Sequence, residues 1–143
     1  MELALQAARD AGARGEVPVG AAVIGPDGRV LAVAGNETEA ACDATAHAEL
    51  LALRRAAALL GSPRLPGCAL YVTLEPCPMC ATAASFFRVR KICFGAYDPK
   101  GGGIEHGPRI FETTPHLHRP EVIGGVRESE AAALLSDFFA IRR

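Results

Sequence analysis

The chain has 143 residues, half of them hydrophobic, with 15 Lys and Arg against 16 Asp and Glu for a net charge of −1. That length suits one domain around a single core, residues 1–143, and the balanced charge excludes a molecule drawn as a whole to nucleic acid. No stretch approaches the ~20 apolar residues of a membrane span, and Glu2, Arg9 and Asp10 interrupt the start where a secretory leader would be apolar, so the expectation is a soluble cytoplasmic protein with no membrane partner.

Leu3, Leu5 and Ala8 fit an opening helix that stops near Gly12 and Gly15. VGAAVI (19–24) and VLAVAG (30–35) flank the turn signal Gly25-Pro26-Asp27-Gly28 and read as a hairpin. Asp43 or Thr45 can cap a helix over AHAELLALRRAAALL, which Gly61-Ser62-Pro63 stops. ALYVTL (69–74) is the near-continuous apolar run of a strand covered on both faces. Proline is tolerated in a first helical turn, so the next helix begins within Cys77-Pro78-Met79. KICFGA (91–96) is a further strand, residues 97–120 read as a long irregular segment, and a strand near Glu121–Ile123 precedes a C-terminal helix carrying Ala131, Leu134, Leu135, Phe138 and Ile141 at helical spacing. Helices alternating with strands predict an α/β domain with helices around a mixed sheet.

The charge divides unevenly. Residues 1–87 hold 6 basic and 9 acidic side chains, a balance of −3, and residues 88–143 hold 9 and 7, a balance of +2. This permits a basic face on the second half without demanding one.

LEPCPMC (74–80) sets Cys77 and Cys80 three apart. In a reducing compartment a structural disulfide is disfavoured, and a pair at this spacing serves either a redox couple or a metal. His47 and Glu49 bear on the choice. Two thiolates and a neutral imidazole are good zinc ligands, and three protein ligands leave the fourth position of a catalytic site for water. His47 falls in the first turn of one predicted helix, and the two cysteines open another, where the helix dipole favours thiolates. Zinc there lowers the pKa of water toward about 7, and Glu49, two residues after His47, is placed to carry protons as a general acid and base. Hydrolytic deamination needs that combination, because a ring nitrogen and a departing amine must both be protonated. No second pair of ligands completes a closed structural site, so Cys42, Cys68 and Cys93 are expected as small buried side chains, and His106, His116 and His118 as members of a solvated or substrate-facing loop. Gly101-Gly102-Gly103 lacks the Lys-Ser/Thr of a phosphate loop.

His-x-Glu together with Pro-Cys-x-x-Cys is the signature of zinc nucleobase deaminases. The chain resembles the tRNA adenosine deaminases of the cytidine deaminase superfamily in GEVPVGA (15–21), Gly35-Asn36, TAHAEL (45–50), LYVTLEPCPMC (70–80), FGAYDPKGG (94–102) and LLSDFFAIRR (134–143). The resemblance implies a three-layer α/β/α fold with a central mixed five-stranded sheet, a homodimer, one zinc ion per subunit, and conversion of adenosine to inosine at the wobble position of a tRNA anticodon stem-loop. It implies zinc on His47, Cys77 and Cys80, Glu49 as acid and base, and Asn36 and the Ala48 amide on the base. Arg88, Arg90, Lys100, Arg142 and Arg143 are the positions expected to meet RNA. Two departures stand out: Ala44 replaces a proline usual in the family, and residues 101–119 differ from the common form. The alternative is a deaminase of a free base or nucleoside, of guanine or cytosine type.

Overall fold

The computed structural model describes residues 1–142, so Arg143, expected at an RNA surface, lies outside the described residues. The order of elements is α1 (Glu2–Ala13), β1 (Gly20–Ile24), β2 (Val30–Gly35), α2 (Ala48–Leu60), β3 (Ala69–Leu74), α3 (Pro78–Phe86), β4 (Lys91–Ala96), α4 (Ile110–Thr113), β5 (Glu121–Ile123) and α5 (Glu128–Ile141). The hairpin forms where Gly25-Pro26-Asp27-Gly28 predicts it: Gly28 N–H donates to the Gly25 carbonyl, and Asp27 Oδ1 accepts from Arg29 N–H. The long predicted loop contains one short helix, α4, tied down by Phe111, which is buried.

The strands form one mixed sheet in the order β2-β1-β3-β4-β5. β1 runs antiparallel to both β2 and β3, and β3, β4 and β5 are mutually parallel. β2 therefore points the same way as β3 and β4. The carboxyl ends of all three strands reach one edge of the sheet, the edge at which open α/β folds place their ligands.

α1 and α5 cover one face, and α2 and α3 the other, which makes the three layers. The larger core lies under α2 and α3, where Ala52, Leu53, Ala81 and Ala84 pack on Leu70, Val72, Ile92 and Phe94. Alanines dominate the helix side, so the helices sit close to the sheet. The second core is small, built on Leu5, Ala96 and Ala131. α1 presses so near β1 that a Cβ on Gly20 would fall 2.0 Å from the Ala4 carbonyl oxygen and 2.6 Å from Ala8 N. Backbone cannot yield as a side-chain tip can, so Gly20→Ala is expected to cost about 3 kcal/mol, the top of the overpacking range, measured as a loss of urea midpoint at unchanged m-value.

Candidate metal centre and active site

The two helices that begin at the binding edge each do so with a potential ligand at the N-cap. α2 starts two positions later than a Thr45 cap would place it and four later than an Asp43 cap: His47 is the N-cap, extended at φ −73° and ψ 148°. Asp43 instead closes a turn of its own, its Oδ1 accepting from Thr45 N–H at 2.9 Å and from the Thr45 hydroxyl at 2.7 Å. Cys77 is the N-cap of α3, with Pro78 in the first turn. The His47 side chain makes no capping bond to its own helix, which leaves the imidazole free to turn toward the two thiols.

His47 Nδ1 lies 3.7 Å from Cys77 Sγ and 3.5 Å from Cys80 Sγ. A tetrahedral zinc with Zn–S of about 2.3 Å and Zn–N of about 2.1 Å sets such N···S separations at about 3.6 Å. Among the described residues, these three side chains form the one group of His, Cys, Asp or Glu whose ligand atoms all fall within 4.8 Å of one another, and the fit to zinc is close in both donor type and spacing. The electrostatics agree with a waiting ligand set. The Cys77 thiol is pulled down to about 4, chiefly by its hydrogen bond with Cys80 and also by His47 beside it, and His47 is raised above its usual range mainly by the Cys77 sulfur. Cys80, deeper, is pushed up by Cys77 and by burial. The three share protons that a metal displaces.

Glu49, one residue into α2, is 4 % exposed. Burial pushes its carboxyl up to about 7, and the negative charge of Cys77 adds to the shift, against a smaller opposing pull from His47. It lines a cavity of about 350 Å³ with His47, Cys77, Asn36, Leu74 and Asp98, within the size of ligand sites. The cavity walls come from segments that follow the carboxyl ends of β2, β3 and β4.

Asn36 and Ala48 are brought together differently from the expectation. Asn36 Oδ1 accepts the Ala48 N–H at 2.8 Å, so that amide is not free to hold a base. It is an otherwise unpaired donor of the first turn of α2, and Asn36, just past the end of β2, supplies the cap that His47 does not. Asn36 is also one of the residues that line the cavity.

The basic positions scatter. Arg88, Arg90, Lys100 and Arg142 are exposed. Lys100 adjoins Gly101 at the cavity. Arg88 lines a separate groove with Phe86 and His116, Arg90 faces Glu121 at 3.9 Å, and the Arg142 guanidinium stacks 3.4 Å over the Phe138 ring. Cys68 and Cys93 are buried as expected, whereas Cys42 is exposed in a left-handed turn at φ 48°. His118 is a structural anchor, its Nε2 2.8 Å from the Val89 carbonyl.

Two carboxylates that sequence reasoning passed over turn out to shape the cavity. Glu16, 2 % exposed, accepts from Glu39 N–H, Ala40 N–H and the Thr38 hydroxyl, and those bonds, led by Glu39, hold its carboxyl below the usual range. Glu75, also 2 % exposed, does the same for the segment after β4. Burial raises the Glu75 carboxyl, but the hydrogen bonds, led by the His106 side chain, outweigh it and hold it low. The signal for Glu75 was a lone carboxylate closing an otherwise apolar strand.

A mixed sheet with a His, two Cys and a buried Glu at its ligand edge defines a zinc-binding hydrolytic deaminase. Residues 1–96 match the profile of the cytidine and deoxycytidylate deaminase zinc-binding region, and the chain belongs to that family. It is 53 % identical to a tRNA-specific adenosine deaminase of Agrobacterium fabrum over 100 % of this chain and 93 % of that protein. A structure from studies of A-to-I editing by tRNA deaminases at the wobble position of transfer RNA superposes with a TM-score of 0.92 at 54 % identity, covering 94 % of this chain and 97 % of that one. A guanine deaminase from Nitrosomonas europaea is similar at a TM-score of 0.83 and 26 % identity, over 97 % of this chain and 82 % of its own.

Proposed function

We propose that this protein is a zinc-dependent hydrolase that converts adenosine to inosine at the wobble position of a tRNA anticodon. The observation that carries the reading is the convergence of His47, Cys77, Cys80 and Glu49 on one cavity, in a chain alike over its whole length to a tRNA-specific adenosine deaminase. His47, Cys77 and Cys80 hold the zinc, which when bound supplies the Lewis acidity that makes hydroxide available near neutral pH. Glu49 takes the proton lost by the attacking water and returns it to the ring nitrogen beside the reacting carbon, then assists the exit of ammonia. Its burial suits this work, since burial raises the carboxyl toward the neutral range in which a general acid and base is most effective. The Asn36 amide nitrogen donates to the base edge. A wobble base is unpaired, so bringing it into the cavity costs little.

Lys100, beside the cavity-lining Gly101, and Arg88 are the basic side chains we assign to the anticodon stem-loop, and Arg90 and Arg142, engaged by Glu121 and Phe138, contribute less. The test is incubation with unmodified tRNA, digestion and assay for inosine. Inosine at the wobble position supports the reading; turnover of free guanine or cytosine with none in tRNA favours the alternative, which the likeness to guanine deaminase keeps in view.

The chain acts as a homodimer. α2 and α3 pack on each other and end in exposed apolar side chains, Leu59 at 60 %, Leu60 at 42 % and Phe86 at 67 %, more than an isolated surface needs. Light scattering is expected to give twice the 14.9 kDa chain mass, and Phe86→Asp to shift it toward the monomer.

A further inference from the structure

Zinc binding and proton transfer leave Glu75 without a role, yet it is among the most committed side chains in the molecule. Its side chain is wholly buried. Oε1 accepts from Asp98 N–H at 3.1 Å and lies 2.8 Å from His106 Nδ1. Oε2 accepts from the backbone N–H groups of Ile104 at 3.2 Å, Glu105 at 2.9 Å and His106 at 3.1 Å. One carboxylate thus gathers both ends of the segment 98–106.

The same segment is tied to the metal-bearing helix and to the cavity. Gly103 N–H donates to the Pro76 carbonyl at 2.8 Å, immediately before Cys77. Asp98 Oδ1 accepts from Gly101 N–H at 2.9 Å, and both Asp98 and Gly101 line the cavity with Glu49. The fit is close enough that a Cβ on Gly102 would fall 2.3 Å from Glu75 Oε2 and 2.6 Å from the Asp98 carbonyl. Five donors on two oxygens nearly exhaust a carboxylate's lone pairs. Four of the donors are backbone and so independent of side-chain identity. The fifth, His106, is the one side-chain donor, and its ring is one-third exposed, so solvent alone would not hold it there.

We propose that Glu75 and His106 are a positioning pair for substrate capture, which preforms the 98–106 wall of the cavity before the base arrives. The pair touches no reacting atom. Preorganising a wall reduces the ordering cost of binding, so its loss raises KM and leaves the chemical step and the metal largely alone. This rests on the deaminase reading of the cavity.

The test is steady-state kinetics of full-length zinc-loaded protein on an anticodon stem-loop carrying the wobble adenosine. His106→Leu removes the donor at similar bulk. It is expected to raise KM by about tenfold, as for one lost hydrogen bond to a charged group, with kcat within about threefold and zinc content unchanged. His106→Asn can place an amide N–H where Nδ1–H stands and is expected to restore KM to within about threefold of wild type. His106→Ser, one bond too short to reach, repeats the defect and serves if the leucine variant does not fold. A His106→Leu protein with wild-type KM, a fall in kcat alone, zinc loss in step with activity, or an Asn variant as impaired as Leu and Ser would each overturn the proposal. Wild-type protein inactive on the stem-loop would instead overturn the functional reading beneath it.

Discussion

Glu49→Gln is expected to lower kcat by about 10²–10⁴-fold, the usual worth of a positioned acid and base, while zinc stays bound at one ion per chain. The amide fills the same space and keeps the dipole of the carbonyl, but it cannot accept a proton from water and pass it on. Stability should move the other way. Burial raises the folded-state pKa of Glu49 to about 7 from an ordinary 4.5, so the folded protein binds a proton more tightly than the unfolded chain. Below the unfolded pKa the group is protonated in both states and costs nothing. As pH rises through about 7, the folded state is left holding an unfavourable buried charge. In metal-stripped protein, Glu49→Gln should therefore stabilise at pH 8 by on the order of 3 kcal/mol and make little difference at pH 4. Thermal melts at the two pH values, with inosine assays on loaded protein, measure both halves. An active Gln variant would remove Glu49 from the proton path.

The parts legible in the sequence were those fixed by local chemistry. The Gly-Pro-Asp-Gly turn, the apolar run 69–74 and the Pro78 helix start were each specified by neighbouring residues, and the structure keeps all three. The His47, Cys77 and Cys80 group and Glu49 could be singled out because their spacing puts them at two helix starts. What could not be read was the partner of each polar group. Asn36 and Ala48 are twelve residues apart, and only the path of the chain between β2 and α2 shows that one caps the other. His47, one position short of the helix, could be predicted inside it because Asp43 and Thr45 looked like better caps; they satisfy each other instead. Glu16 and Glu75 act on backbone N–H groups 23 to 31 residues away. Backbone donors carry no sequence signature, so such carboxylates become visible only in three dimensions.

Removing a zinc ligand should do what Glu49→Gln does not. Cys80→Ala takes away a donor that is fully buried, and the remaining His47 and Cys77 cannot close a tetrahedron around the ion. Zinc content by elemental analysis is expected to fall from one per chain to near zero, and inosine formation with it. The fold should survive, because the core beneath α2 and α3 is made of Ala52, Leu53, Ala81, Ala84 and the sheet residues they meet, none of which depends on the ion. The melting temperature should still drop, since zinc binds the folded chain alone and its binding free energy adds to stability. Chelation of wild-type protein gives an independent readout. Cys77, half-buried with its thiol drawn down to about 4, is a thiolate once the metal is gone, and the thiolate is the form that reacts. Iodoacetamide at pH 7 should label Cys77 in stripped protein and spare it when zinc is restored, whereas Cys68 and Cys93, buried with their thiols pushed up, stay unlabelled in both. Equal labelling of Cys77 with and without zinc would mean that its sulfur is not a ligand, and the catalytic centre would have to be sought elsewhere.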